Sequence, residues 1–291
     1  MNSLLIGGTG SIGTALQTAL HIFGEVTITN RQEPESSSYF EASVDYSHLK
    51  LAGFDSVVYA AGLTQFAACE SQYELSNSVN YLAPCDLARK SEQCGARFIY
   101  LSSTAAARFA GLDANAARRV HAANEAGAST YGLHKYLAEC EISKVKSALV
   151  VRLSKVVSSD WPLLNDWVSR LMSGGTVIAF TDHFFSPITP DYLVKQLTST
   201  LEVSATGLLQ LSARDFISYY EFAILLCDCL KVPRDRVTGV SAITVLQNSR
   251  IVLGPMPTNL GETERLDGLP VPSSRAVLTE LIEKRFTFNY R

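Results

Sequence analysis

The sequence predicts an α/β protein in which a doubly wound parallel sheet carries a smaller C-terminal α/β domain. Three observations point there. Short apolar, β-branched runs alternate with helical patterns over the first 150 residues, a glycine-rich turn joins the first strand to the first helix, and the rhythm changes after residue 153. With 291 residues, 47% of them hydrophobic and 18% charged, the chain has enough apolar material for such a core and is not a disordered one. Its formal charge of −3 argues against a nucleic-acid partner, which needs a basic surface.

Residues 3–6 form an unbroken apolar strand. Residues 11–23 follow as a helix, because Ile12, Ala15, Leu16, Ala19 and Leu20 share one face. Residues 26–29, 56–60 and 97–101 supply three more strands, 79–91 and 131–145 two more helices, and 148–153 a fifth strand. Strands without polar alternation fit a parallel sheet covered on both faces, with right-handed crossovers. Beyond residue 153, helices are expected over 163–171, 191–201, 219–230 and 277–285, and strands over 177–180 and 207–211. A loop is expected over 250–269, where Gly254, Pro255, Pro257 and Gly261 cluster. The expected division is 1–153 for the sheet domain, with 186–204 returning to it, and 154–291 mainly for a substrate domain facing it across a cleft.

Gly7-Gly8-Thr9-Gly10-Ser11-Ile12-Gly13 lies between the first strand and helix. Gly8, Gly10 and Gly13, and equally Gly7, Gly10 and Gly13, have the spacing of a dinucleotide-binding turn. Glycine allows the tight turn and the close approach of a pyrophosphate, while Ser11 and Ile12 open a helix whose N-terminus offers free N–H groups and partial positive charge. The sheet is therefore expected to be a Rossmann fold. The second strand ends Thr29-Asn30-Arg31, without an acid for the ribose hydroxyls, and Arg31 suits a 2′-phosphate. NADP(H) is the preferred cofactor and NAD(H) the alternative, although Glu33 nearby weakens the charge argument. Asp45 is a candidate to approach the adenine.

Tyr131 and Lys135 stand at i and i+4 on one helical face. A neighbouring ammonium is expected to lower the phenol's pKa, so the pair can exchange a proton with a carbonyl or alcohol oxygen. The fourth strand ends Leu101-Ser102-Ser103-Thr104, at the sheet edge where ligands bind. Ser103 is the first choice to hydrogen-bond the substrate oxygen, with Thr104 and Ser102 behind it.

Taken together, GGTGSIG at 7–13, YAAG at 59–62, SVNYLAP at 78–84, YLSST at 100–104, YGLHK at 131–135 and RLSKVV at 152–157 resemble the extended short-chain dehydrogenase/reductase family over roughly residues 1–200. The resemblance implies a catalytic set of Ser103, Tyr131 and Lys135. It implies that Ala60, Ala61 and Gly62 line the cofactor, that Asn80 lies near its nicotinamide side, and that the 154–157 loop, Val156 included, meets the nicotinamide amide through backbone. Leu137-Ala138-Glu139, Arg152-Leu153-Ser154 and Phe185-Ser186-Pro187-Ile188 further resemble dTDP-4-dehydrorhamnose reductases and related sugar-nucleotide enzymes. The implied activity is NAD(P)H-dependent reduction of a keto group on a nucleotide-linked sugar, with Tyr131 as proton donor. A 4-epimerase with retained NAD and a non-catalytic NmrA-like dinucleotide sensor are the alternatives. Ala105 stands where those reductases carry Asp, and Ala105-Ala106 cannot do the acid/base work of a dehydratase. Thr104 and Phe185 are expected at the substrate, with Phe184 and Phe185 either stacking on a base or filling core. Residues 105–129 depart from the family, and Arg118, Arg119 and His121 are expected on a solvated loop rather than on a substrate pyrophosphate. A homodimer through the Tyr131 helix is the assembly that the resemblance suggests.

The five histidines do not pair at metal-ligand spacing, so no metal is expected, and His134 points off the Tyr131–Lys135 face as a structural or solvated residue. Six scattered cysteines read as reduced thiols and imply a cytoplasmic protein. Neither a membrane span nor a signal peptide is expected.

Overall fold

The computed structural model describes residues 1–31, 38–43, 46–247, 249–252, 254 and 270–288. Strands β1 (Ser3–Ile6), β2 (Val26–Ile28), β3 (Ser56–Tyr59), β4 (Arg97–Ser103) and β5 (Leu149–Leu153) join Gly207–Leu211 in one six-stranded sheet. The spatial order is Gly207–Leu211, β5, β4, β3, β1, β2, and every pairing is parallel.

The unbroken apolar strands fold this way because alternate side chains feed two cores. Leu4, Ile6, Val57, Tyr59, Phe98 and Tyr100 face the helices Ala83–Gln93 and Thr130–Ile142. Leu5, Val58, Ile99 and Val151 face α1 (Ser11–His21) and the helix Pro190–Glu202. Burying each such side chain stabilises the fold by roughly 1.5–3 kcal/mol before entropy is counted. Because the strands are parallel, their C-terminal ends share one edge, and the glycine turn, Ala60–Gly62, Ser103 and Ser154 converge there.

A further core lies in the C-terminal half. Leu164, Trp167 and Leu171 of the helix Pro162–Met172 pack with Phe222 and Leu226 of Tyr219–Leu230 and with Val277 and Leu278 of Ser274–Phe288. A parallel pair, Val177–Phe180 with Val237–Val240, closes it. The second strand of this pair escapes sequence reading because Thr238 and Gly239 interrupt its apolar pattern. Most of the expected 250–269 loop, Glu33 and Asp45 lie outside the described residues.

Two other departures have physical causes. The expected helix over 79–91 is a wide π-type turn, Ser78–Leu82, leading into Ala83–Gln93. Pro84 has no N–H to bond back, and the carbonyls of Val79 and Asn80 accept instead from the hydroxyls of Tyr59 and Tyr100, each at 2.7 Å. Residues 105–129 are not one loop, although Arg118 and Arg119 are exposed as expected. A tight 3₁₀ turn, Thr104–Phe109, leads to a helix Ala114–Ala122 capped by Asp113, and Ala106, Phe109 and Ala117 pack on Leu133 and Tyr136. Arg118 lies 6.0 Å from the Tyr81 ring centroid. All six cysteines are free thiols, and Cys69, Cys85 and Cys227 are buried. Among the described residues no helix is long and apolar enough to cross a membrane, and no cluster of His, Cys, Asp or Glu could hold a metal ion.

Candidate active site

The glycine turn is shaped by close contacts. Gly7 has φ +86°, and a Cβ there would lie 2.6 Å from the Ala61 nitrogen. A Cβ on Gly13 would lie 2.4 Å from the Gly7 carbonyl oxygen, so the first turn of α1 can pack on β1 only without a side chain. Gly10 precedes α1 and provides no side-chain cap, and above it a Cβ would meet nothing closer than 3.8 Å. The free N–H groups at the start of α1 thus face open space, a cradle that fits a dinucleotide pyrophosphate.

Beside this cradle is a cleft of about 480 Å³. Of the residues singled out by sequence, Ser11, Ile12, Ala60, Ala61, Gly62, Ser103, Thr104, Tyr131, Lys135, Val156 and Phe185 line it. Gly7, Gly10, Gly13, Asn30, Arg31 and Asn80 do not. Asn80 is fully buried and donates to the Leu63 carbonyl at 3.0 Å and to Ser76 at 3.1 Å, so it supports the Gly62–Leu63 backbone from below. Asn30 ties the end of β2 to Ser38 and Phe40. Arg31 is exposed, with Glu41 at 3.9 Å.

The helix Thr130–Ile142 brings Tyr131 and Lys135 to the cleft, capped by Ser129 on the Gly132 N–H. Their electrostatics differ from the expectation. Burial pushes the Tyr131 phenol up to about 12, against a lowering pull from its hydrogen bond with Ser103. Burial also pulls Lys135 down to about 7, partly offset by Glu139. Low polarity penalises both charged forms, and no hydrogen bond joins the two groups. The Lys135 ammonium lies 5.9 Å from the Tyr131 ring centroid, donates to the Leu101 carbonyl at 2.9 Å, and sits 4.6 Å from the Tyr100 ring centroid. The phenol is therefore held protonated at neutral pH.

The three hydroxyls at the end of β4 diverge. Ser102 donates to Glu139 at 2.5 Å, and Glu139 forms a buried bidentate pair with Arg152. Ser103 faces the phenol and accepts from the Ala105 N–H at 3.2 Å. Thr104 opens the following 3₁₀ turn and lines the cleft. His134 is fully buried and structural, with Nδ1 2.9 Å from the Ser76 hydroxyl.

Phe66, Tyr219 and His183 line the cleft without a motif to announce them. Phe66 packs on Tyr131, with ring centroids 5.5 Å apart. At the other end, Phe185 is a core residue that also reaches the cleft, 4.6 Å from Tyr219, whose ring stacks on His183 at 5.2 Å. Lys155 stands beside them. Outside the cleft, Glu70 accepts from both the N–H and the hydroxyl of Thr130 at 2.8 Å and pairs with Arg250 at 3.3 Å. His121, expected on a loop, lies 2.9 Å from the Thr130 hydroxyl. These contacts pin the N-terminus of the helix that bears Tyr131.

Comparison with known proteins bears on the whole chain. The family model described as RmlD substrate binding domain matches residues 1–283. The probable low-salt glycan biosynthesis reductase Agl14 of Haloferax volcanii is 27% identical over 184 residues, 60% of this chain and 60% of that protein; the match thus spans less than two thirds of that relative. A dTDP-4-dehydrorhamnose reductase from Yersinia enterocolitica superposes with a TM-score of 0.77 at 19% identity, covering 98% of this chain and 99% of the other. The enzyme of that name from Bacillus anthracis, solved with NADP, gives 0.72 at 17% identity over 97% and 99%. At such identities the structural likeness speaks to the fold.

Proposed function

The chain belongs to the RmlD substrate-binding-domain family, and we propose that it is an NAD(P)-dependent oxidoreductase of the extended short-chain dehydrogenase/reductase type that reduces a keto group on a nucleotide-linked sugar. One observation carries the reading. A phenol, a hydroxyl and an ammonium, Tyr131, Ser103 and Lys135, line a single cleft beside a glycine cradle at the C-terminal edge of a parallel sheet.

When bound, the nicotinamide cofactor supplies the hydride. Gly7, Gly10 and Gly13 give its pyrophosphate room at the start of α1, and Ala60, Ala61, Gly62 and Val156 border it along the cleft. Asn80 holds the Gly62 turn in shape. NADP(H) is favoured, because β2 ends without an acid and the exposed Arg31, only loosely paired with Glu41 at 3.9 Å, can turn to a 2′-phosphate.

The Ser103 hydroxyl donates to the substrate's carbonyl oxygen and orients it. Tyr131 then gives that oxygen its proton. A phenol held up to about 12 is loaded for this step at neutral pH. Lys135, kept charged in part by the Glu139 carboxylate one helical turn away, would hold the cofactor ribose and stabilise the phenolate left behind. Thr104 and Phe185 border the substrate.

The test is turnover with NADPH and a nucleotide-linked 4-keto sugar such as dTDP-4-dehydrorhamnose. Consumption of one NADPH per reduced sugar is expected. Interconversion of sugar isomers without net NADPH loss would assign an epimerase, and failure to bind either NADPH or NADH would end the reading.

A further inference from the structure

The cleft's charge does not follow that of the chain. The protein has 28 acidic and 25 basic residues, yet among the described residues the cleft is lined by Lys135 and Lys155 and by no Asp or Glu. Lys135 is accounted for: it is buried, hydrogen-bonded to the Leu101 carbonyl and beside Tyr131. Lys155 is not.

Lys155 comes two residues after β5, in a short parallel pairing of Lys155–Val156 with Pro187–Ile188. This pairing fixes its backbone at the mouth of the cleft, where its side chain stays open to solvent. The ammonium lies 5.6 Å from the Trp161 ring centroid. Trp161 meets Phe185 edge-on at 5.8 Å, and Phe185 leads through Tyr219 to His183. Lys155 thus stands at the aromatic end, away from the glycine cradle. No carboxylate among the described residues pairs with it. Partial desolvation lowers its pKa, so charging it here without a counter-ion has a cost that the Trp161 ring offsets only in part. A cation in a cleft whose described walls are aromatic and carry no acid attracts and holds an anion more strongly than one on an open surface.

We infer that Lys155 is a specificity-determining residue whose ammonium binds an anionic group of the substrate, phosphate or carboxylate oxygens, at the aromatic end of the cleft. The identity of that group rests on the nucleotide-sugar reading above: the diphosphate of any nucleotide sugar, or the carboxylate of an acidic one. The existence of the anion site rests on the geometry alone.

Calorimetric titration of the NADPH-saturated protein separates these. Inorganic pyrophosphate, UDP-glucose and UDP-glucuronic acid are titrated into wild type, Lys155→Gln and Lys155→Arg, and the melting temperature of each variant monitors folding. Lys155→Gln should weaken binding at least about tenfold, the usual scale of a charge-assisted hydrogen bond, and Lys155→Arg should keep most of the affinity. Weakening of all three ligands identifies the diphosphate, and weakening of UDP-glucuronic acid alone identifies a carboxylate. The inference is overturned if Lys155→Gln binds every ligand within about twofold of wild type, or if wild type binds none. Pyrophosphate binding that needs Lys155, with neither nucleotide sugar bound, would uphold the anion site and sink the nucleotide-sugar reading. Nucleotide sugars that bind wild type and Lys155→Gln equally would do the reverse.

Discussion

At the dinucleotide end of the site the walls are backbone and small side chains, Gly7, Gly10, Gly13, Ala60 and Ala61. At the other end they are rings, Phe185, Tyr219 and His183, with Lys155 open beside them. On the proposed reading the first end would bind through peptide N–H groups and a helix dipole, and ask of its residues only that they leave room. The second offers little free backbone and must recognise its ligand with particular side chains. The two lysines repeat the contrast. Lys135 is sealed under the Leu101 carbonyl and pulled down to about 7, whereas Lys155 is open and has no counter-charge among the described residues. The cofactor end is thus generic and the substrate end individual.

The largest test of that contrast is to remove each ammonium. Lys135→Met should lower kcat/KM at least about a hundredfold and weaken NADPH binding, because it takes away the charge that supports both the phenolate and the ribose. Lys155→Gln should leave NADPH affinity unchanged. Equal loss of NADPH affinity in both variants would erase the division between the ends.

A pH series comes next. Burial holds His134, behind the dinucleotide end, and His183, at the aromatic end, down to about 4. The unfolded chain takes up these protons near pH 6.5, before the folded one can. The stability they contribute is therefore complete above about pH 6.5 and is lost as pH falls towards 4, at up to about tenfold per histidine per pH unit in the unfolding constant. Urea melts across this range measure the sum, and NMR titration separates the two rings. An anionic ligand should raise the pKa of His183, which lines the cleft, and leave His134 unmoved. A free-protein His183 titrating near 6.5 would contradict the burial account.

Glu70→Ala removes the acceptor for the Thr130 N–H and hydroxyl and the partner of Arg250. It should cost about 1–3 kcal/mol in a urea melt, and Glu70→Gln less, because one carbonyl acceptor is kept. Identical losses in the two would place the effect in the charge rather than in the helix start. The smallest effect is at Arg31. Arg31→Ala should shift preference from NADPH towards NADH by roughly three- to tenfold, as expected for one exposed charge-assisted contact. An unchanged ratio would remove Arg31 from the site.

The same contrast explains what the sequence could tell. The parallel sheet and its glycine turn were legible because their signals are local: strand, turn and helix follow one another within 3–21, and Tyr131 and Lys135 are one helical turn apart. The π-type turn around Asn80 was hidden because it depends on Tyr59 and Tyr100, which reach its carbonyls from other strands. The helix Ala114–Ala122 carried a readable cap, Asp113, but its alanine-rich buried face resembles a surface segment until Phe109, Leu133 and Tyr136 pack on it. Glu70 could not be foreseen, since its partners lie 60 and 180 residues away. The phenol's pKa was misjudged for the same reason: spacing reports that an ammonium is near, but the depth of burial that outweighs it is a property of the whole fold.

The central claim is that Tyr131 hands its proton to the keto oxygen of a bound sugar nucleotide. Single-turnover oxidation of NADPH by wild type and Tyr131→Phe, each saturated with coenzyme and a nucleotide-linked 4-keto sugar, tests it most directly. The variant should bind NADPH as wild type does and turn over at least about a hundredfold more slowly, the usual loss when a general acid is removed. Oxidation at the wild-type rate by the phenylalanine variant would contradict the account.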